Sequence, residues 1–119
     1  MLVWFVDVRG LKSANDSHGH EFGDAILVAV IEALRASVRA NDLVARWGGD
    51  EFVVLGIGRQ GDPEDLNRRV DALLEAEPSL TARWSRSVTI GFAAGPPDTL
   101  IDELIAAADA DMYRRRLGA

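Results

Sequence analysis

Apolar residues run unbroken from Leu2 to Val6 and stop at Asp7. A β-prone run without polar alternation predicts a central strand, buried on both faces. Gly10 then breaks the extended pattern, and Ser13, Asn15, Asp16, Ser17 and Gly19 follow as a turn-rich polar stretch. From Phe22 to Arg39 the spacing changes. Ile26, Val30 and Leu34 form one stripe with Leu27, Ile31 and Val38 beside it, which predicts an amphipathic helix. Asp24 lies near its first turn, where a carboxylate suits the positive end of the dipole. Leu43 to Trp47 and Phe52 to Ile57 read as two strands joined at Gly48-Gly49-Asp50-Glu51, a β-hairpin. Asp62 and Pro63 start a second long helix with Leu66, Val70, Leu73 and Leu74 inward, and Pro78 ends it. Leu80 to Trp84 and Val88 to Ala94 read as strands. Leu100 to Arg116 closes the chain as a helix, with Leu104, Ala108 and Met112 at spacing four and Arg114, Arg115 and Arg116 in its last turn.

The resulting order is β-α-β-β-α-β-β-α. Hairpin and helices together predict an α/β domain of the α+β kind, a mixed central sheet flanked by helices. The length, 119 residues, suits one domain with one core. No apolar run reaches the length of a membrane span. The apolar start lacks the basic flank and small-residue cleavage site of a signal peptide. The absence of cysteine removes disulfides, cysteine-held zinc and thiol nucleophiles, and fits a cytoplasmic setting. A net charge of −6 argues against nucleic acid as a partner, while a small phosphorylated ligand remains compatible if a metal or a local basic group offsets its charge.

Two acidic positions carry candidate chemistry. Asp7 ends the buried strand, and Asp50 with Glu51 occupies the hairpin tip. If the two strands are neighbours, the carboxylates converge at one end of the sheet. A few carboxylate oxygens together with substrate phosphates are what magnesium prefers. Taken alone, acidic residues at strand ends are ordinarily just solvated. Gly48 and Gly49 lack side chains, which either serves a turn with positive φ or lets a ligand approach the backbone.

Gly48-Gly49-Asp50-Glu51-Phe52 is the signature of the GGDEF family, the diguanylate cyclases, and Ala45-Arg46-Trp47 precedes it as that family's aromatic-ended strand does. Asp7 through Asp16 resembles the family's D-x-D-x-F-K-x-x-N-D, and Gly19-His20-Glu21-Phe22-Gly23-Asp24 its G-H-x-x-G-D. Val88-Thr89-Ile90-Gly91 resembles the T-x-S-I-G strand, and Ala108 to Tyr113 the closing A-D-x-A-L-Y helix. The matches run in order along nearly the whole chain. The resemblance implies one GGDEF domain over residues 1–119, with a sheet like the palm of adenylyl cyclases and some polymerases. It implies condensation of two GTP molecules to cyclic di-GMP and pyrophosphate across a homodimer, with Mg2+ (or Mn2+) as cofactor. A sensory or regulatory domain is expected elsewhere in the full-length protein.

By the same resemblance, Asp7, the Val8 carbonyl and Asp50 bind metal. Asp50 and Glu51 are catalytic: Asp50 helps deprotonate the attacking 3′-hydroxyl, and Glu51 supports the second metal or that base. Asn15 and Asp24 read guanine, and His20 lies near ribose and base. Lys12, the backbone at Gly10 and Leu11, and Arg116 face the phosphates, with Gly48 and Gly49 beside the substrate. Arg39-Ala40-Asn41-Asp42 matches the R-x-x-D inhibitory motif, where Arg39 and Asp42 hold product and Arg68 or Arg69 completes the site.

The chain departs from the family at several positions. Arg9 stands at the second acidic position of D-x-D, where it either faces phosphates or repels metal; in a continued strand it shares a face with Asp7. Leu11 replaces an aromatic, and Thr89 stands where serine is usual. The opening D-x-L-T-G-L-x-N-R segment and the G-R-N tail are not in the sequence. Three readings follow: an active cyclase, a catalytically degenerate receptor for GTP or cyclic di-GMP, and a purely structural module.

Overall fold

A computed structural model describes residues 1–58, 61–84 and 87–118, so Ala119, the last residue of the expected domain, lies outside it. Strand β1 (Leu2–Arg9) is followed by helices α1 (Leu11–His18) and α2 (His20–Ser37), then by the hairpin β2 (Leu43–Arg46) and β3 (Glu51–Gly56). Helices α3 (Glu64–Glu75) and α4 (Pro78–Thr81) lead to β4 (Ser87–Ala94) and the closing helix α5 (Ile101–Gly118). The four strands lie in the order β2-β3-β1-β4, and each pairing is antiparallel.

The uninterrupted apolar run does place β1 inside the sheet, between β3 and β4, with Leu2 through Val8 buried. Alternation along the strand sends Leu2, Trp4, Val6 and Val8 to one face, where they pack with Ile26, Val30 and Leu34 of α2 and Leu66, Val70 and Leu74 of α3. Val3 and Phe5 point to the other face, against Leu104, Ile105, Ala108 and Met112 of α5. The next residues in that second series are Asp7 and Arg9, so the fold delivers both to the side on which α5 ends.

Three expectations are corrected. Strand β1 continues past Asp7 to Arg9, because β4 supplies partners as far as Ser87. The polar stretch after Gly10 is helix α1, of which Ala14 alone is buried; a helix this short and polar leaves almost no apolar stripe to read. Residues 80–84 are not a strand. Leu80 and Trp84 point inward at a spacing of four, and the Trp84 N–H donates to the Leu80 carbonyl at 2.9 Å, a helical turn. The alternation Leu80, Ala82, Trp84 imitates a strand and conceals that turn.

The two edges of the sheet differ. On β4 the Phe92 N–H donates to Asp111 of α5 at 2.9 Å, and the Ile90 carbonyl accepts from Asn67 of α3 at 3.3 Å. Arg115 binds Asp111 and Glu64, each at 2.8 Å, and lies over the Phe92 ring, so side chains from both faces close over this edge. Burial pushes the Asp111 carboxyl up, but the Phe92 N–H and the arginines outweigh it, and the net shift is downward. On β2, Leu43 and Ala45 are exposed.

Candidate functional site

Adjacent strands bring the acidic groups together. In the β1–β3 ladder Asp7 is paired with Glu51, and one residue further the Val8 N–H donates to the Asp50 carbonyl at 2.8 Å. Some forty residues of chain separate these positions, yet they share one rim of the sheet.

Asp7 is 5% exposed, a carboxylate at the end of a buried apolar strand. Burial, then the nearby Asp50 carboxylate, push its carboxyl above the ordinary value; Arg116 and Arg9 oppose the shift and Asp109 adds to it. The Glu51 carboxyl is also raised, by burial first and then by Asp50, Asp7 and Asp109. The rim therefore concentrates negative charge that the protein only partly offsets. Arg116, in the last turn of α5, reaches Asp7 at 3.4 Å.

The hairpin tip is held by its own strand. Arg46 donates to the Gly48 carbonyl at 3.2 Å and to the Gly49 carbonyl at 2.6 Å, and the Trp47 and Gly48 N–H groups both donate to the Glu51 carbonyl. Neither Gly48 nor Gly49 has positive φ. The turn therefore does not require glycine for its dihedrals. A β-carbon on Gly48 would meet the Glu51 carboxylate at 2.6 Å, whereas one on Gly49 would meet nothing within 4 Å. The space beside Gly49 is open.

A cavity of about 550 Å3 lies at this rim. Its walls include Asp7, Val8 and Arg9 from β1, Asp50 from the hairpin and Arg116 from α5. The remaining wall is the start of α1, with Gly10, Leu11 and Lys12, then Ser13, Asp16 and Ser17. Gly10 takes the left-handed conformation (φ 80°), which turns the strand sharply into the helix and sets the first turn of α1 against the cavity. The fold thus gathers the expected metal and phosphate residues around one space.

Asn15, His20 and Asp24 do not line that cavity. Asn15 sits just past the middle of α1, and His20 and Asp24 lie at the start of α2, beyond Gly19. His20 and Asp24 are exposed. The Asn15 Oδ1 is buried without a hydrogen-bond partner among the described residues, and the carboxamide fills the space a side chain on Gly23 would need.

Arg39 and Asp42 lie on the α2–β2 connection, also away from the cavity. They close a turn on themselves. The Arg39 N–H donates to the Asp42 carboxylate at 2.8 Å, and the Asp42 N–H to the Arg39 carbonyl at 3.0 Å. Arg68 is engaged by Asp62 and Asp65 of its own helix start, and Arg69 is exposed.

Sequence reasoning did not single out Asp109, Asp16, Arg46 or Trp84. The Trp84 indole N–H donates to the Arg9 carbonyl at 2.8 Å and buttresses the turn behind the cavity. Among the described residues, no three or more histidine, aspartate or glutamate side chains are arranged as a metal cage, and no helix is long and apolar enough to cross a membrane.

Comparisons with known proteins identify the family of the domain. The family described as "Diguanylate cyclase, GGDEF domain" matches residues 1–118. The chain is 40% identical over 119 residues to the bifunctional diguanylate cyclase/cyclic di-GMP phosphodiesterase MucR of Pseudomonas aeruginosa, covering 96% of this chain and 17% of that protein. It is 33% identical over 111 residues to the diguanylate cyclase DgcM of Escherichia coli K12, covering 93% of this chain and 27% of that protein. Among solved structures, one comprising only the GGDEF domain of TpbB (YfiN) from Pseudomonas aeruginosa superposes with a TM-score of 0.81 at 34% identity, over 99% of this chain and 72% of that one. The chain thus spans about a sixth to a quarter of the curated relatives' lengths and most of that isolated domain, and it belongs to the GGDEF domain family.

Proposed function

We propose that this domain condenses two molecules of GTP to cyclic di-GMP with release of pyrophosphate, one GTP held on each of two facing copies. The observation that carries the reading is the pairing of Asp7 with Glu51, which brings Asp7 and Asp50 together at the rim of a cavity whose other walls are Arg9, Arg116 and the residues of α1, among them Lys12 and Asp16. A cavity of about 550 Å3 suits one nucleotide, which is compatible with the second being held by another copy of the domain.

The Asp7 and Asp50 carboxylates and the Val8 carbonyl are the groups that would hold Mg2+ or Mn2+. All are hard oxygen donors, and two carboxylates completed by substrate phosphates suit magnesium better than a closed protein cage does. The raised Asp7 and Glu51 carboxyls fit this choice, since a cation relieves the repulsion among them. A divalent ion supplies neutralisation of phosphate charge and eases ionisation of the 3′-hydroxyl.

The chain's own groups position the reactants. The start of α1, Lys12 and Arg116 bind the phosphates. The bare backbone at Gly48 and Gly49 lets the sugar and phosphates lie close to the hairpin. Asp50, supported by Glu51, accepts the proton of the 3′-hydroxyl as its oxygen bonds to the α-phosphorus and the bond to pyrophosphate breaks. Helix α1 spans roughly 12 Å from its phosphate end to His20 and Asp24 beyond it, with Asn15 about halfway along, so the base would lie further along the helix than the phosphates. Asn15 and Asp24 then face the guanine edge, His20 lies near the ribose, and Arg39 with Asp42 binds product.

The test is incubation with GTP and Mg2+, followed by chromatography of the products. Formation of cyclic di-GMP that Asp50→Ala abolishes is the expected result. Yield no higher than that of the Asp50→Ala control refutes turnover. The exposed Arg9 at the cavity favours a second reading, a receptor that binds nucleotide without turning it over; calorimetric binding of GTP or cyclic di-GMP without product would then identify it.

A further inference from the structure

Arg9 has no role in the chemistry just described, yet it stands on the same strand face as Asp7 and lines the same cavity. Three cations surround this space: Arg9, Lys12 and Arg116. Arg116 is drawn to Asp7, but among the described residues the Arg9 guanidinium and the Lys12 ammonium make no ion pair or side-chain hydrogen bond. Arg9 is exposed, although the charge on Asp7 lies close enough to feel it. Its backbone is not free to drift. It lies in the β1–β4 ladder opposite Ser87, the buried Trp84 indole holds its carbonyl at 2.8 Å, and the next residue is the left-handed Gly10 turn. A long cationic side chain is thus carried on a fixed base at the mouth of the cavity, with its donors unspent.

Resting on the nucleotide reading above, we infer that Arg9 is a direct polyphosphate contact that acts in parallel with the divalent ion, so nucleotide binding here depends less on metal than the acidic rim alone would dictate. Asp7 and Asp50 repel a triphosphate unless a cation stands between them. A guanidinium on the same face supplies one permanently, and its planar fork suits two phosphate oxygens at once. The contact is specific to the phosphates and contributes nothing to guanosine.

The experiment is calorimetric titration of the intact domain with GTP, with GDP and with guanosine, each in Mg2+ and in EDTA. The variants are Arg9→Gln and Arg9→Lys. For GTP in EDTA, Arg9→Gln is expected to weaken binding about tenfold. In Mg2+ the loss is expected to shrink to about twofold, because the ion covers the same charge. Arg9→Lys is expected to recover most of the loss, and guanosine binding to be unaffected. Thermal unfolding of each variant should match the parent, since the side chain is exposed.

Equal losses in Mg2+ and EDTA overturn the inference. So does tighter GTP binding by Arg9→Gln in Mg2+, which would mean that Arg9 repels the metal. If the parent domain binds GTP in neither buffer, the nucleotide reading itself fails and the inference falls with it.

Discussion

Gly91 is where the closing helix comes nearest the sheet. An added β-carbon would lie 2.1 Å from the Met112 nitrogen, 2.5 Å from the Ala108 carbonyl oxygen and 2.5 Å from the Met112 Cα. All three are backbone atoms of α5, so no rotamer change can relieve them. Restoring ordinary contact in Gly91→Ala requires α5 to move away by about 1.3 Å, with loss of dispersion contact along Leu104, Ala108 and Met112. Overpacking of a core by one methyl typically costs 1–3 kcal/mol, and a backbone-on-backbone clash belongs at the upper end, about 3 kcal/mol. Unfolding entropy near 2 cal/mol/K per residue converts this to a fall in Tm of about 12 °C for a domain of this size. The assay is thermal unfolding by circular dichroism, with urea titration to show that the m-value is unchanged. Arg116 lies one helical turn beyond Met112, so the same displacement should withdraw it from Asp7. A Tm within about 2 °C of the parent would refute the packing argument and show that α5 does not rest on β4 at Gly91.

Gly49→Ala is the contrasting substitution. With no positive φ and open space where the methyl goes, it should leave Tm within about 2 °C of the parent and weaken GTP binding by about tenfold, read by calorimetry. Unchanged affinity would mean that no ligand lies against the hairpin backbone. Asp7→Asn should raise Tm at neutral pH in metal-free buffer, because it removes a buried charge whose carboxyl is raised by burial and by Asp50. A raised folded-state value means the native protein takes up the proton before the unfolded chain does. The gain is therefore full above that value, shrinks as pH falls, and is gone below the ordinary value of 3.8. Lower stability of Asp7→Asn at neutral pH would show instead that the Arg116 contact outweighs the burial of the charge.

The parts of the fold that were legible in the sequence are those written in apolar spacing. Strand β1 is an unbroken run, α2 and α3 carry stripes three and four apart, and the hairpin is marked by two glycines between β-prone segments. What failed was composed of few apolar residues or of ambiguous ones. Helix α1 buries only Ala14, and Leu80-Ala82-Trp84 fits period two as well as a helical turn. For the site, the acidic residues were visible as types, but their convergence depended on which strands are neighbours. Residue spacing cannot supply that adjacency; it comes from insertion of β1 between β3 and β4. The hairpin glycines left two explanations open, and the dihedrals remove the one based on positive φ. Trp84 went unnoticed because its partner is a backbone carbonyl 75 residues away, which no local pattern records.

Asp7 shows how the core and the site constrain one another. The alternation that seats Val3 and Phe5 beneath α5 also assigns residue 7 to that face, where another apolar side chain would extend the core. A carboxylate there breaks the local rule, and its one ion pair among the described residues is with Arg116 at 3.4 Å, helped at longer range by Arg9, while Asp50 and Asp109 lie close enough to repel it. Local conflicts of this kind persist where the group has work other than stability to do. Because β1 is paired on both sides and buried on both faces, the strand cannot rotate the carboxylate away to solvent. The rigidity that makes the charge expensive in the free protein would also hold it fixed for the cation proposed above, so a strand paired on both sides sets the geometry of its one buried carboxylate.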